Sequence, residues 1–476
     1  MEKWIIYRHI NDFKLLCTIA KMIKSKKDFS LTEEEKINQL ENLKQLGLYN
    51  QRFEKISSYT LRAKINQLGF YMFGYVDSIG GESKFLFSPL GNLLLNNLED
   101  EIKTTKIFLS MLFGLQFEHK HSNTSNDFQL YPFRLIFKLL TDERIGKKLF
   151  TYETAYLILK IKTIDNETYE KLIKDILNLR RKNRNELHAL FLENERLYVN
   201  ANYEWDTYTT KLLSTTKIIT KEVGETLFRL HQGKNTIRLV RNSYIKLDPL
   251  IEDFCIKMLN YYPYDKEPLK FSDNERMKSD VVKEIYNFYP SLLLDEINES
   301  SEKSIKLEKM LELPKLIEQY SQNNNNEEAY LFENILEDGF NMFINVEAKK
   351  LAGAGNTDIE CLYLDLNKKF AVEAKATKGK LSMINAGRLA KHRQKIGGEY
   401  TIVIAPRFVP SIKYDIQSTN IVTLRANTFS EYLYNCIYND LRDIDYKDFD
   451  DIINNNLGKD ISEEISKLTI NTFAIV

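Results

Sequence analysis

Apolar residues in the first two-thirds of the chain recur mostly at helical spacing, with short alternating runs between them. Ser30-Leu31-Thr32 before Glu33-Glu34-Glu35 places a cap ahead of acidic first-turn residues, and Ile37, Leu40, Leu43 and Leu46 carry the helical stripe until Gly47 stops it. Tyr59 to Gly69 spells a second, shorter helix closed by glycine. Phe70 to Tyr75, the Gly80-Gly81 turn and Lys84 to Phe87 then read as paired strands. Ser88-Pro89 restarts a helix, with serine as cap and proline at the first position. Helix, helix, hairpin is the order of a winged helix, a unit that either enters a DNA groove or mediates protein contacts. Arg62 and Lys64 lie on its second helix.

A second unit starts near Asp127. Tyr131 to Leu140 and Thr151 to Leu159 have helical period, and Gly224 to Tyr244 resembles another helix-plus-wing turning at Gly233-Lys234-Asn235. Residues 266 to 326 are highly charged, with helical stretches at Val281–Phe288 and Lys303–Tyr320, and end in Asn323 to Asn326, a polar tract that reads as a linker. The expected organisation is therefore two helical, winged-helix-like subdomains over 1 to 125 and 126 to 265, a helical linker over 266 to 326, and a compact rear domain over 327 to 476. The rear opens on a helix containing Tyr330, Phe332, Glu333, Leu336 and Phe340.

Length and composition fit this plan. A chain of 476 residues exceeds what one core normally serves, and 43% hydrophobic with 28% charged residues describes a water-soluble protein. No stretch approaches the ~18 apolar residues of a membrane span, and Met1 to His9 has no signal-peptide core, so a cytoplasmic location is expected. The four cysteines form no C-x-x-C pair. His119 and His121 lack a second ligand pair and read as loop residues.

Sixty-seven basic residues balance 67 acidic ones, so any affinity for a polyanion must come from distribution. Between Trp205 and Leu247, eight lysines and arginines face only Asp206, Glu222 and Glu225. Within and near this surplus, Arg181, Arg184, Lys234, Arg238 and Arg241 are the candidates for phosphate contact, against the alternative of a solvated charged face.

The chemistry concentrates in the rear. Gly353 to Leu364 is a glycine turn leading into a strand, and Lys369 to Lys375 a second strand whose period of two sends Glu373 and Lys375 to one face and Val372 and Ala374 to the other. Pairing the two strands could bring Asp358 to that face. Phosphodiester hydrolysis needs negative charge neutralised and a water activated, tasks for a divalent cation on hard oxygen ligands. Asp358, Glu373 and the Ala374 carbonyl are such ligands, Lys375 can orient the water or stabilise developing charge, and Glu333 could hold a second cation or its water. On the following helical stretch, Lys380 to Ile396, Arg388 and His392 could touch the scissile phosphate or its neighbour.

Asn356-Thr357-Asp358 followed by Glu373-Ala374-Lys375 resembles the signature of the PD-(D/E)XK nuclease superfamily, with Thr357 in place of the proline. Ala352 to Glu360, Val372 to Lys375, Arg388 and His392-Arg393 look like the catalytic region of AlwI-type restriction endonucleases. Phe87 to Gly91, Leu112 to Phe117 and Tyr131 to Arg134 extend the likeness forward. The resemblance implies an α/β nuclease domain with a mixed central sheet behind a mainly helical DNA-reading region. It also implies a type IIS enzyme that uses Mg²⁺, with Mn²⁺ able to substitute, and cuts double-stranded DNA at a distance from a short asymmetric site. One such site cuts one strand, so a transient homodimer or a second nuclease subunit is expected, or else a strand-specific nicking enzyme, and a cognate DNA methyltransferase belongs to the same system. The competing reading is a DNA-binding protein that keeps the nuclease fold without catalysis.

Overall fold

The computed structural model describes residues 2–6, 10–25, 33–45, 47, 58–79, 82–233, 235–271, 278–297, 302–322, 329–351, 353, 355–439 and 444–474. The Ser30–Thr32 cap, the Gly80-Gly81 turn, Lys234 and the Asn323–Asn326 tract lie outside them. Two compact units form, 1–297 and 298–474, each with its own core. Among the described residues no helix is long and apolar enough to cross a membrane.

The front unit begins with α1 (Phe13–Lys24), α2 (Glu33–Gln45) and α3 (Ser58–Phe70), followed by the antiparallel hairpin β1 (Gly74–Ile79) and β2 (Glu82–Phe87). The order read from the sequence is present, but the first strand starts four residues late. Phe70 to Phe73 are all buried at the helix end and in the turn after it, so their side chains show no two-residue alternation. α4 (Pro89–Asn96) starts as expected, with Ser88 Oγ accepting from Gly91 N at 2.9 Å. Gly91 is required there, since a Cβ would sit 2.1 Å from the Phe73 carbonyl oxygen.

α5 (Glu101–Gly114) and α6 (Pro132–Thr141) form the centre of the unit. Strand β3 (Leu149–Phe150) and helices α7 (Thr151–Tyr156), α8 (Asn166–Arg180), α9 (Arg184–Leu192), α10 (Glu195–Glu204) and α11 (Lys211–Thr215) lead to strands β4 (Ile219–Glu222), β5 (Thr226–His231), β6 (Ile237–Arg241) and β7 (Tyr244–Leu247). β3, β7 and β4 make one small antiparallel sheet; β5 and β6 make a separate two-stranded ribbon. α12 (Pro249–Tyr261), α13 (Lys278–Tyr286) and α14 (Ser291–Ile297) complete the unit. α6 is pinned by Arg134, whose buried guanidinium donates to the Phe113 carbonyl at 2.7 Å and lies 3.5 Å over the Tyr131 ring.

The rear unit begins before the expected boundary. α15 (Glu302–Ser321), assigned from sequence to the linker, packs on α16 (Ala329–Phe340) and α19 (Ala426–Tyr438), buries Ile317 in the rear core and accepts a 2.6 Å hydrogen bond from Ser430 Oγ at the Pro314 carbonyl. Its apolar face was masked by the high charge of the segment. Five strands, β8 (Val346–Lys350), β9 (Ile359–Tyr363), β10 (Lys368–Ala374), β11 (Thr401–Ala405) and β12 (Ile421–Arg425), form one sheet in the order 12-11-10-9-8. β8, β9 and β10 are antiparallel neighbours, whereas β10, β11 and β12 are parallel, so the sheet is mixed.

Alternation along β10 and β11 divides the unit into layers. Phe370, Val372, Ile402 and Ile404 face a large core with α16, α19, α20 (Lys447–Asn455) and α21 (Ser462–Phe473). Val403 faces the opposite, smaller core with Leu389 of α17 (Ala386–Ile396) and with Ile412 and Ile416 of α18 (Ile412–Ile416). α17 is shorter than its sequence pattern suggested: Asn385 Oδ1 accepts from Arg388 N at 3.0 Å and caps it, and 375–384 runs as irregular chain.

Candidate active site

Antiparallel pairing of β9 and β10 sets Ile359 opposite Val372, which places Asp358, one residue before β9, beside Glu373. Thr357 fixes this junction. It is fully buried, and its hydroxyl donates to the Val372 carbonyl at 3.1 Å, a bond that the proline of the superfamily pattern has no donor to make. Asp358 Oδ2 then accepts from Ala374 N at 2.8 Å, while the Asp358 carbonyl accepts from Leu351 N at 2.9 Å.

Lys375 emerges where β10 ends, its own N–H held by the Ile404 carbonyl at 2.8 Å. Its ammonium lies 2.8 Å from Glu373 Oε2, 3.2 Å from Asp358 Oδ2 and 3.2 Å from the Ala374 carbonyl. The three oxygens expected to bind a cation thus already surround a positive charge. Glu373 is 1% exposed. Its second oxygen, Oε1, is 3.1 Å from Nδ1 of the buried His392 on α17, so both carboxylate oxygens are held. Burial raises the Asp358 pKa and Glu373 adds to the rise, while the Lys375 ammonium opposes it. For Lys375 burial favours the neutral amine, but the two carboxylates prevail and hold its pKa above the ordinary lysine value.

This donor set suits a hard divalent cation, with two carboxylates and a carbonyl as ligands. Among the described residues no group of three His, Cys, Asp or Glu side chains is arranged for a metal, so the carbonyl is needed as third donor. Glu333 on α16 pairs its carboxylate with Lys350 Nζ at 2.9 Å, and Lys350, the last residue of β8, stands opposite Ile359, the residue that follows Asp358. His392 is buried and reaches Glu373 through Nδ1 from within the fold, a carboxylate contact that its expected phosphate contact did not include. Arg388, by contrast, is exposed on α17.

The basic candidates of the front unit divide in the same way. Arg62, Arg181 and Arg241 are exposed. Lys64 is only 5% exposed, on the inner side of α3, and burial lowers its pKa, so it is not available at the surface. Arg184 spends its guanidinium on the Thr226 and Leu227 carbonyls, and Arg238 stacks 3.7 Å over the Tyr203 ring with Nε donating to Gln232 at 2.6 Å. The cationic surplus of 205–247 is also reduced by pairs, Lys221 with Asp206 and Lys217 with Glu101. Sequence reading missed the Thr357 bond and the His392–Glu373 contact; the only advance signal for His392 was its place on one side of a helix next to the motif strand.

Residues 1–262 match the model of the N-terminal domain of type II restriction endonuclease HgaI. Type II restriction enzyme HgaI of Avibacterium volantium is 45% identical over 481 aligned positions, covering 99% of this chain and 97% of that protein. Two solved structures of restriction endonuclease FokI, one bound to DNA, align over 97% and 96% of the chain at 10% identity with TM-scores of 0.28 and 0.26, too low to carry an argument about fold. The matches bear out a type II restriction enzyme but do not bear out the AlwI-type assignment: this chain belongs to the HgaI family of type II restriction enzymes.

Proposed function

We propose that the protein is a type IIS endonuclease, in which residues 1–297 read a short asymmetric DNA sequence and residues 298–474 hydrolyse phosphodiester bonds at a distance from it. The carrying observation is the convergence of Asp358, Glu373 and the Ala374 carbonyl on one positive charge at 2.8–3.2 Å. Mg²⁺, for which Mn²⁺ would substitute, would be held by these three oxygens and would supply charge neutralisation at the phosphate and a more acidic water. Asp358 and Glu373 hold their oxygens rigidly because Ala374 N and His392 fix them. Lys375, protonated and released from its carboxylates, would donate to the scissile phosphate or orient the attacking water. Glu333, held by Lys350 at the strand end next to Asp358, would hold a second cation or its water. Exposed Arg388 would contact the backbone beside the scissile bond.

A single cradle of this kind cuts one strand, so double-strand cleavage needs a second copy of the chain or another nuclease subunit, and a cognate methyltransferase would protect the host sequence. Digestion of supercoiled plasmid with Mg²⁺ by wild-type protein and Asp358→Ala tests the reading. Wild type should linearise or nick at fixed positions, and Asp358→Ala should lose cleavage by three or more orders of magnitude while still retarding the same DNA. Equal cleavage by both would overturn the site.

A further inference from the structure

We infer that the outward face of the β5–β6 ribbon is a base-reading surface that lies in the major groove of duplex DNA, an inference that rests on the assignment of recognition to the front unit. Register pairs Arg229 with Leu239, His231 with Ile237 and Thr226 with Arg241. The two-residue period therefore separates an inward row, Phe228, Leu230 and Val240, from an outward row, Arg229, His231, Ile237, Leu239 and Arg241. The inward row is buried against Phe191, Tyr198 and Val199.

A lone two-stranded hairpin is marginal in water. This one is secured on its inner side and edges. Arg184 Nη2 donates to the Thr226 carbonyl at 2.9 Å, Glu195 Oε1 accepts from His231 N at 2.7 Å, and the His188 ring stacks on Phe228 with centroids 5.0 Å apart. Arg238 joins the support through Gln232, which donates onward to Asn200 at 2.7 Å. Everything that holds the ribbon uses its back and its main chain.

The front is left with a distinctive composition. Ile237 is 53% and Leu239 40% exposed, while Arg229 and Arg241 form no ion pair among the described residues. Phosphate grip alone would require the arginines but not two branched aliphatics between them. A single-stranded nucleic acid would call for aromatic stacking platforms, and the outward row holds no Phe, Tyr or Trp. The major groove offers both partners this row needs: guanine N7 and O6 for arginine and the thymine methyl for aliphatic side chains, in a channel wide enough for a two-stranded ribbon.

The test uses the full chain in Ca²⁺, with Arg229→Ala/Arg241→Ala and Ile237→Ser/Leu239→Ser compared with wild type. Affinities are measured by fluorescence anisotropy for a duplex carrying a mapped recognition site and for a scrambled duplex of equal length. The arginine pair should lose about 100- to 10,000-fold on the site duplex and only a few-fold on the scrambled one, since each specific arginine contact discriminates by roughly 10- to 100-fold. The aliphatic pair should lose discrimination with little change on the scrambled duplex. Melting temperatures should stay at the wild-type value because all four side chains are outward. Unchanged affinity for the site duplex, or equal losses on both duplexes, would overturn the ribbon assignment. A wild-type protein that binds both duplexes alike would instead overturn recognition by the front unit.

Discussion

Replacing Lys375 with Met removes the positive charge from between two carboxylates and leaves the side-chain volume nearly unchanged. At about 3 Å and an effective dielectric of about 20, each ammonium–carboxylate attraction is about 5 kcal/mol before desolvation. Burial of the partners offsets much of this, and the lysine side chain is 28% exposed, which screens it further, so a net loss of about 2 kcal/mol is expected. For a unit of this size that corresponds to a fall of about 4–8 °C in melting temperature. The same substitution exposes Asp358 Oδ2, Glu373 Oε2 and the Ala374 carbonyl to an added cation. Ca²⁺ at a hundred times its dissociation constant would return about 2.7 kcal/mol, enough to recover the lost stability, whereas wild type should gain less because its ammonium competes for the same oxygens. Scanning calorimetry with and without Ca²⁺ measures both effects without DNA or turnover. A Lys375→Met protein that melts with wild type, or that Ca²⁺ stabilises no more than wild type, would refute a cation cradle at these three oxygens.

Two further outcomes follow from histidines drawn into the fold. His392→Ala should weaken Mg²⁺ affinity and cleavage by about 10–100-fold with DNA affinity intact, and His392→Asn, whose amide can donate to Glu373, should recover part of the loss; an asparagine variant no better than alanine in a Mg²⁺ titration would remove the positioning role. In the front unit, burial lowers the His121 pKa to about 3 and that of His119 well below its ordinary value. The unfolded chain therefore takes up these protons first, so stability present above pH 6.5 should drain away as pH falls toward 3, by up to about 4 kcal/mol for His121. His121→Gln should flatten that slope in urea melts at pH 7 and pH 5, and an unaltered slope would show that another group governs it.

How much of this was legible beforehand depended on the range of the interaction concerned. The β10 alternation that turns Glu373 and Lys375 to one face, the Ser88 cap with Pro89 and the mixed sheet implied by the motif all appear in the structure. Each is recorded within a few residues or within a recognisable signature. The charged stretch around α15 misled because composition dominated its mean character, while the few apolar side chains that seat it, such as Ile317, matter only against a core built later in the chain.

The sequence by itself determined the identities and strand phase of Asp358, Glu373 and Lys375, because side-chain direction on a strand follows from parity alone. Only the tertiary structure decided which cations are spent and which are available. Arg184 and Arg238 are committed to carbonyls and side chains 42–43 and 6 residues away, Lys64 is buried, and Arg229 and Arg241 are left outward. It likewise set His392 Nδ1 against a carboxylate nineteen residues earlier. A basic residue carries the same charge in sequence whether it faces solvent or a buried partner. What separates these cases is packing between distant segments, and periodicity holds no record of it.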